Sequence, residues 1–304
     1  MTAPRSTGTD HDAHYVRPPG GPLAAAYERL LQPVLVLLAP LALCFLVFHL
    51  VWGLLTALLI FPVLPAAARD ALVQFWSRIA LVALGIRLEL RVEPGATPIA
   101  ASRGSLIVSN HTSWADVFVI AAVTPARFVA KSEIAGWPLI GVFARAVGTI
   151  FVARRRRHAV VEVNRAAAER MQRGQSVVIF PEGTTTDGTQ LLRFHANLFQ
   201  AGIDAAAPVI PLSLEYRQDG RPSSAAAFIG DMTLVASMWR IVIAPRLTVR
   251  LRWLPAIAIA GETRQAVAQR ARTAILAALA LPQAEAEPVQ ETEEEIRPAT
   301  ASGS

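Results

Sequence analysis

His111 and Asp116 stand five residues apart in the segment Asn110-His111-Thr112-Ser113-Trp114-Ala115-Asp116, just after the apolar run Ser105-Leu106-Ile107-Val108-Ser109. A carboxylate bonded to one imidazole nitrogen fixes the ring's tautomer and stabilises the imidazolium, leaving the other nitrogen free to take a proton from a hydroxyl. General-base help of this kind is worth about 10² to 10⁴ in rate. The apolar run reads as a buried strand, so His111 falls at a strand's C-terminal end, where open α/β sheets carry their chemistry. The spacing equally admits a plainer reading, in which Asp116 lies in the first turn of the next helix and serves only that helix's N-terminus. A nucleophilic serine at Ser109 or Ser113 is disfavoured, because neither is framed by a Gly-x-Ser-x-Gly elbow. His11, His14, His49 and His158 fall in a polar leader, an apolar run and a helix start, where a structural or neutral role suits them.

A second candidate segment, Phe180-Pro181-Glu182-Gly183-Thr184-Thr185, follows the apolar run Ser176-Val177-Val178-Ile179 and repeats the strand-then-loop context. The two loops are expected to face one cleft. Strand-like runs at 88–92, 106–109, 127–130, 149–152, 177–180, 209–216 and 246–253 alternate with helical patterns at 114–123, 137–146, 158–173 and 263–281. Such alternation predicts an α/β domain with a mainly parallel central sheet flanked by helices. Gly174 supplies a stop for the long helix at 158–173. In the run at 246–253, Leu247, Val249 and Leu251 alternate with Arg246, Arg250 and Arg252, which predicts a half-exposed strand.

The chain is 53% hydrophobic over 304 residues, above the usual globular share, and the excess is concentrated. No charged residue occurs between Leu30 and Ala68. A helix over 33–65 would be roughly 50 Å long against a hydrocarbon core of about 30 Å. Pro40, Gly53, Pro62 and Pro65 offer places to kink or end it, so a tilted span of about 20 to 25 residues or a re-entrant hairpin is expected. In the segment 70–82, Leu72, Phe75, Trp76, Ile79 and Leu81 share a face from which Asp70 and Arg78 are absent. That pattern suits a helix in the membrane interface, the alternative being one docked on a soluble core. A cleaved signal peptide does not fit, because about 30 polar residues precede an apolar run longer than a signal core.

The formal charge is +6, but the tail from Gln283 holds six glutamates against Arg297, a net −5 that leaves +11 for residues 1–282. A basic body beside an apolar anchor favours an anionic membrane leaflet over nucleic acid as partner. Arg154–Arg157 is the densest part of that charge, as a lipid-headgroup contact or a solvated helix face. The single cysteine, Cys44, excludes an intrachain disulfide and a cysteine-based zinc site, and fits a cytosol-facing enzyme. The polar ends, 1–24 and 283–304, read as disordered. They bracket a membrane anchor with an interfacial helix over 25–85 and a catalytic domain over 86–282.

Asn110-His111-Thr112-Ser113-Trp114-Ala115-Asp116 and Phe180-Pro181-Glu182-Gly183-Thr184 together resemble the glycerolipid acyltransferase family, whose lysophosphatidic acid acyltransferases carry His-x-x-x-x-Asp and Phe-Pro-Glu-Gly-Thr motifs in this order. Lys131-Ser132-Glu133 with Gly136-Trp137-Pro138 and Gly141 resembles a further block, continued by Gly148-Thr149-Ile150-Phe151-Val152 and Arg154, and Val209-Ile210-Pro211 another. The blocks cover about 105–216, and their order is far more specific than any one of them. The resemblance implies a glycerol-3-phosphate acyltransferase-like fold and transfer of an acyl group from a thioester to the sn-2 hydroxyl of 1-acyl-glycerol-3-phosphate. His111 is then the base and Asp116 its orienter. Glu182, Gly183 and Thr184 position the glycerol and headgroup end, the glycine allowing close backbone approach. Lys131 would meet a negative group on the acceptor or the developing oxyanion. The implied co-substrate is acyl-CoA or acyl carrier protein, with no cofactor or metal, and the implied site is the cytoplasmic face of the inner membrane.

Many phosphatidate-forming members have arginine where this chain has Thr185, which removes a bidentate phosphate ligand. Arg193 is placed to compensate for it. Threonine at 185 also resembles relatives that acylate lyso-ornithine lipid. A lipid-binding protein without catalysis and a thioesterase are the alternatives from other classes.

Overall fold

The computed structural model describes residues 22–152 and 159–281. The acidic tail, the basic run Arg154–Arg157, His158, and all but the end of the polar leader lie outside the described residues.

The apolar run forms one helix, α1 (Pro22–Leu59), that continues through Pro33 and Pro40. Both prolines lie on its exposed side, where the one bond each removes opens no gap in the core. Neither Pro40 nor Gly53 ends the helix, so the expected break falls later. A 3-10 turn at Phe61–Val63, with Pro62 inside it, and Pro65 reverse the chain into α2 (Ala66–Ala83). Gly53 serves close approach instead: a Cβ there would come within 2.4 Å of Trp76 Nε1. Trp76 Nε1 donates to the His49 carbonyl at 3.0 Å, and His49 Nε2 donates back to the Trp76 carbonyl at 2.9 Å.

Strands and helices then alternate. β1 (Arg87–Val92) precedes β2 (Leu106–Ser109), α3 (Asp116–Val123) and β3 (Ala126–Lys131). Two short helices, α4 (Ser132–Ala135) and α5 (Ile140–Ala146), lead to β4 (Ile150–Val152). Next come α6 (Ala159–Gln172), β5 (Ser176–Ile179) and the single turn α7 (Gln200–Asp204). β6 (Val209–Gln218), β7 (Arg221–Pro222), α8 (Leu234–Val242), β8 (Leu247–Trp253) and α9 (Arg264–Leu279) complete the domain.

The strands make one sheet in the order β1-β8-β6-β2-β5-β3-β4, with β7 paired to β6. From β6 to β4 all neighbours are parallel, while β8 lies antiparallel to β6 and parallel to β1. The expected mainly parallel α/β architecture is therefore present. β2 and β5 are buried along their whole length, which is why their sequences are unbroken apolar runs. Ile107 points to the face covered by α2, α3 and α8, and Leu106 and Val108 to the face covered by α6, α7 and α9. β8 alternates as expected, but Arg250 and Arg252 are not simply solvated. They bond Glu89 at 3.1 Å and Glu93 at 2.7 Å, beside β1.

α2, expected over 70–82 as an interfacial helix or as one docked on the core, packs against α3. Gln74 and Arg78 each donate, at 3.1 Å, to the carbonyls of Val123 and Ala122 at the end of α3. Its inward stripe is Asp70, Ser77, Ala80 and Leu81, because the small side chains at 77 and 80 allow closer packing than the aromatic positions. Asp70 is buried rather than on a polar outer face, and it bonds Arg127 at 2.8 Å and Arg103 at 3.5 Å. Phe75 and Val82 of α2 remain exposed, as do Leu37, Leu41, Phe48, Trp52 and Leu59 of α1.

Candidate active site

β2 and β5 are adjacent and parallel, so the loops that follow them emerge side by side at one edge of the sheet. The first carries His111 and the second Glu182. Asn110 anchors the first loop to β6: its side chain donates to the Leu214 carbonyl at 2.9 Å and accepts from the Leu214 N–H at 2.8 Å. A buried asparagine thus extends the sheet by one rung of side-chain pairing and fixes where the next residue emerges.

His111 Nδ1 lies 2.9 Å from Asp116 Oδ2. A carboxylate can only accept, so Nδ1 carries a hydrogen, and in the neutral ring the lone pair is then on Nε2. Asp116 is fully buried, and four donors hold it. Oδ2 also accepts from the backbone N–H groups of Thr112 at 2.8 Å and Ser113 at 2.9 Å, and Oδ1 accepts from the Tyr216 hydroxyl at 2.7 Å. The carboxylate therefore serves both backbone N–H groups and the imidazole. The backbone groups belong to the loop before α3 rather than to the helix's own first turn. Burial first, and then the Asp116 charge, push the Tyr216 phenol well above its ordinary range, which keeps the hydroxyl a donor.

The His111 ring stacks on Phe180 with centroids 3.9 Å apart and planes 14° from parallel. The side chain keeps 20% of its surface exposed, and no group among the described residues hydrogen bonds Nε2. One nitrogen is locked and the other faces outward, as proton transfer to or from a bound molecule requires.

Glu182 is buried, and both its oxygens are occupied within the protein. Oε1 accepts from the His111 backbone N–H at 2.8 Å and Oε2 from the Leu192 N–H at 3.0 Å. The carboxyl is a strut between three loop segments, so its described contacts are not those of a group turned toward a ligand. Burial pushes its pKa up from 4.5 to about 7, against the lowering effect of the two N–H groups. Gly183 sits at φ +69°, a region that costs other L-residues about 1–2 kcal/mol. The tight turn after Pro181 therefore requires glycine. Across the same loop, the Thr186 N–H donates to the His111 carbonyl and the Phe228 N–H to the Thr112 carbonyl, each at 2.9 Å.

The remaining candidates are spread around this centre. Thr185 donates its hydroxyl to the Phe228 carbonyl, and Thr184 is exposed beside it. Arg193 is exposed one residue after Leu192, the residue that Glu182 holds. Lys131 ends β3, two strands from β2 along the same edge, with an exposed side chain. Tyr216 and Phe180 contact the central pair and Asn110 anchors its loop, yet their types and positions alone carried no such signal. Tyr216 is 100 residues from Asp116, and only the pairing of β6 beside β2 brings them together.

Residues 91–215 match the family model described as Acyltransferase. A 1-acyl-sn-glycerol-3-phosphate acyltransferase of Neisseria gonorrhoeae is 37% identical over 206 residues, which cover 66% of this chain and 81% of that protein. A lyso-ornithine lipid O-acyltransferase of Pseudomonas aeruginosa is 35% identical over 211 residues, 69% of this chain and 79% of that protein. The crystal structure of the 1-acyl-sn-glycerophosphate acyltransferase PlsC of Thermotoga maritima shares the fold, with a TM-score of 0.59 at 18% identity, over 83% of this chain and 96% of that one. The two blocks that carry His111 and Glu182 fall inside the matched region, and the identity extends over most of the Neisseria and Pseudomonas proteins: this chain belongs to the acyltransferase family.

Proposed function

We propose that the protein is a membrane-seated acyltransferase that moves a fatty acyl group from an acyl thioester to the sn-2 hydroxyl of a 1-acyl-glycerol-3-phosphate, giving phosphatidic acid. The observation that carries this reading is the 2.9 Å contact between His111 Nδ1 and a buried carboxylate already held by three other donors. That contact leaves Nε2 as the base. The acceptor hydroxyl attacks the thioester carbonyl as its proton passes to Nε2. The tetrahedral intermediate then collapses with cleavage of the carbon–sulfur bond, and the imidazolium returns the proton to the departing thiolate. Asp116 stabilises the imidazolium between the two transfers. No covalent acyl-enzyme forms in this sequence, and neither metal nor cofactor enters it.

Lys131, Gly183, Thr184 and Arg193 would surround the acceptor's polar end, with Glu182 holding the two loops in register. Acyl-CoA or acyl carrier protein would supply the acyl group. The stretch Leu31–Val63 is long and apolar enough to cross a membrane, and its exposed Leu37, Phe48, Trp52 and Val63 favour contact with lipid. The basic body favours the cytoplasmic face of the inner membrane.

A second acceptor, lyso-ornithine lipid, is favoured by one specific observation. The hydroxyl of Thr185 is committed to the Phe228 carbonyl, so this position offers no cation to a phosphate. Purified protein assayed with both lysolipids side by side decides between them. His111→Ala tests the reading as a whole: lysolipid acylation should fall about 10² to 10⁴-fold in a protein that still folds. Turnover near wild type would sink the assignment, and free fatty acid release without lysolipid consumption would make the protein a thioesterase.

A further inference from the structure

Three arginines converge at the opposite edge of the sheet from His111. Arg69, Arg127 and Arg170 line a cleft of about 160 Å³ whose one carboxylate is Asp70. Arg127 enters at the start of β3, while Gly148 and Gln175 on its walls precede β4 and β5. β5 is four residues long, so on the order of 13 Å of strand separates this edge from the His111 loop.

The charges in the cleft are not balanced. Asp70 gives Oδ1 to Arg127 and Oδ2 to Arg103. Among the described residues Arg69 bonds a carbonyl, that of Leu64 at 2.8 Å, and Arg170 bonds the neutral Gln175 at 3.3 Å. Burial and the neighbouring Arg127 and Arg173 push the Arg170 guanidinium below its ordinary range. Arg127 and Arg170 meet across Gly148, which sits at φ +85°. The point where a Cβ would stand on that glycine lies 3.3 Å from Arg127 Nε and 3.2 Å from Arg170 Nη1. Two partly buried guanidiniums around one open position, with no carboxylate among the described residues for the second, form a cradle for an oxyanion with several oxygens.

The walls say what carries that oxyanion. The volume is below the roughly 300–1,000 Å³ of pockets that enclose whole small molecules, so only a headgroup fits inside. Phe61 and Val73 close the apolar side, and the adjoining turn between α1 and α2 exposes Leu59, Ile60 and Val63.

We propose that this cleft is a second lipid site, separate from the acyl-transfer centre, which takes the phosphate of an anionic phospholipid whose chains lie along the exposed apolar turn at 59–63. The inference rests on the membrane seating of α1 proposed above. It adds that the leaflet's own anionic lipid grips the domain through Arg69, Arg127 and Arg170.

The test is binding of the full chain to phosphatidylcholine vesicles with and without phosphatidylglycerol. Arg69→Gln/Arg170→Gln is compared with Arg165→Gln/Arg270→Gln, which removes two exposed arginines outside the cleft. Arg127 is left in place because it covers buried Asp70. An arginine near the surface contributes roughly fivefold to partition. The cleft pair should therefore lose about 20- to 30-fold of the phosphatidylglycerol-dependent binding, and the control pair much less. An unchanged thermal midpoint of the cleft variant without vesicles shows that folding is intact; if the midpoint falls, Arg170→Lys, which keeps the charge but not the fork, must still show a partial loss. Equal losses in the two pairs, or none in the cleft pair, would overturn the proposal. Stabilisation by inorganic phosphate that depends on Arg69 and Arg170, with no phosphatidylglycerol effect, overturns it in favour of a free anion. Failure to bind even neutral vesicles counts instead against the membrane seating.

Discussion

Tyr216 gives its hydroxyl hydrogen to Oδ1 of Asp116 at 2.7 Å, the oxygen that His111 does not use. The carboxylate is thereby held from both sides, by the loop and imidazole through one oxygen and by β6 through the other.

Tyr216→Phe should leave a buried carboxylate oxygen unsatisfied and cost about 1–3 kcal/mol of stability. The proposed base keeps its bond through Oδ2, so kcat should fall roughly tenfold or less with KM unchanged. Asp116→Asn should be far more damaging to kcat, because it breaks the imidazole's support as well. Denaturation midpoints and steady-state kinetics of both variants check this, and a Tyr216→Phe enzyme as impaired as Asp116→Asn would contradict it.

Glu182 predicts a pH dependence of stability. Its folded pKa, about 7, lies above the ordinary 4.5, so the folded protein holds this proton more tightly than the unfolded chain. The resulting stabilisation is fully present below pH 4.5 and is lost as pH rises through about 7. Its size is on the order of 3 kcal/mol. Glu182→Gln cannot titrate, so the stability difference between wild type and variant should shift in the variant's favour from pH 5 to pH 8. Parallel unfolding curves across that range would contradict the burial argument.

Thr185→Arg would place a guanidinium where the loop now spends a hydroxyl on the Phe228 carbonyl. A charge-assisted contact to a phosphate is worth about 1.5–3 kcal/mol. The ratio of kcat/KM for lysophosphatidate over lyso-ornithine lipid should therefore rise about tenfold or more. An unchanged ratio would mean that position 185 does not meet the headgroup.

Gly53→Ala probes the seam between α1 and α2. The new Cβ would arrive 2.4 Å from Trp76 Nε1, so the indole must leave its bond to the His49 carbonyl. Overpacking of this kind costs about 1–3 kcal/mol. A lower thermal midpoint in detergent and a shifted tryptophan emission are expected, and neither should appear in Leu37→Ala on the exposed side of α1.

The linear sequence determines whatever depends on near neighbours. β2 and β5 are legible as apolar runs because both faces of each are buried, and the His111–Asp116 contact is legible because five residues of loop and first turn span it. Even the docking of α2 is half legible, since its periodicity marks a stripe without saying whether lipid or protein covers it. By contrast α8 is absent from the elements expected above, although Leu234–Val242 gathers its apolar residues on one helical face and Thr233 caps it by accepting from the Ala236 N–H; at nine residues it is short enough to pass for part of a loop.

The tertiary structure alone decided the contacts that depend on strand order. Setting β6 and β5 on either side of β2 brings Tyr216 to Asp116 and Phe180 to His111, and places the Glu182 carboxylate between the N–H groups of His111 and Leu192. It also gathers Arg69, Arg127 and Arg170 into one cleft. Local spacing limits what a side chain can reach along its own chain, but which distant residue stands opposite follows from how the sheet closes, and no local pattern records that.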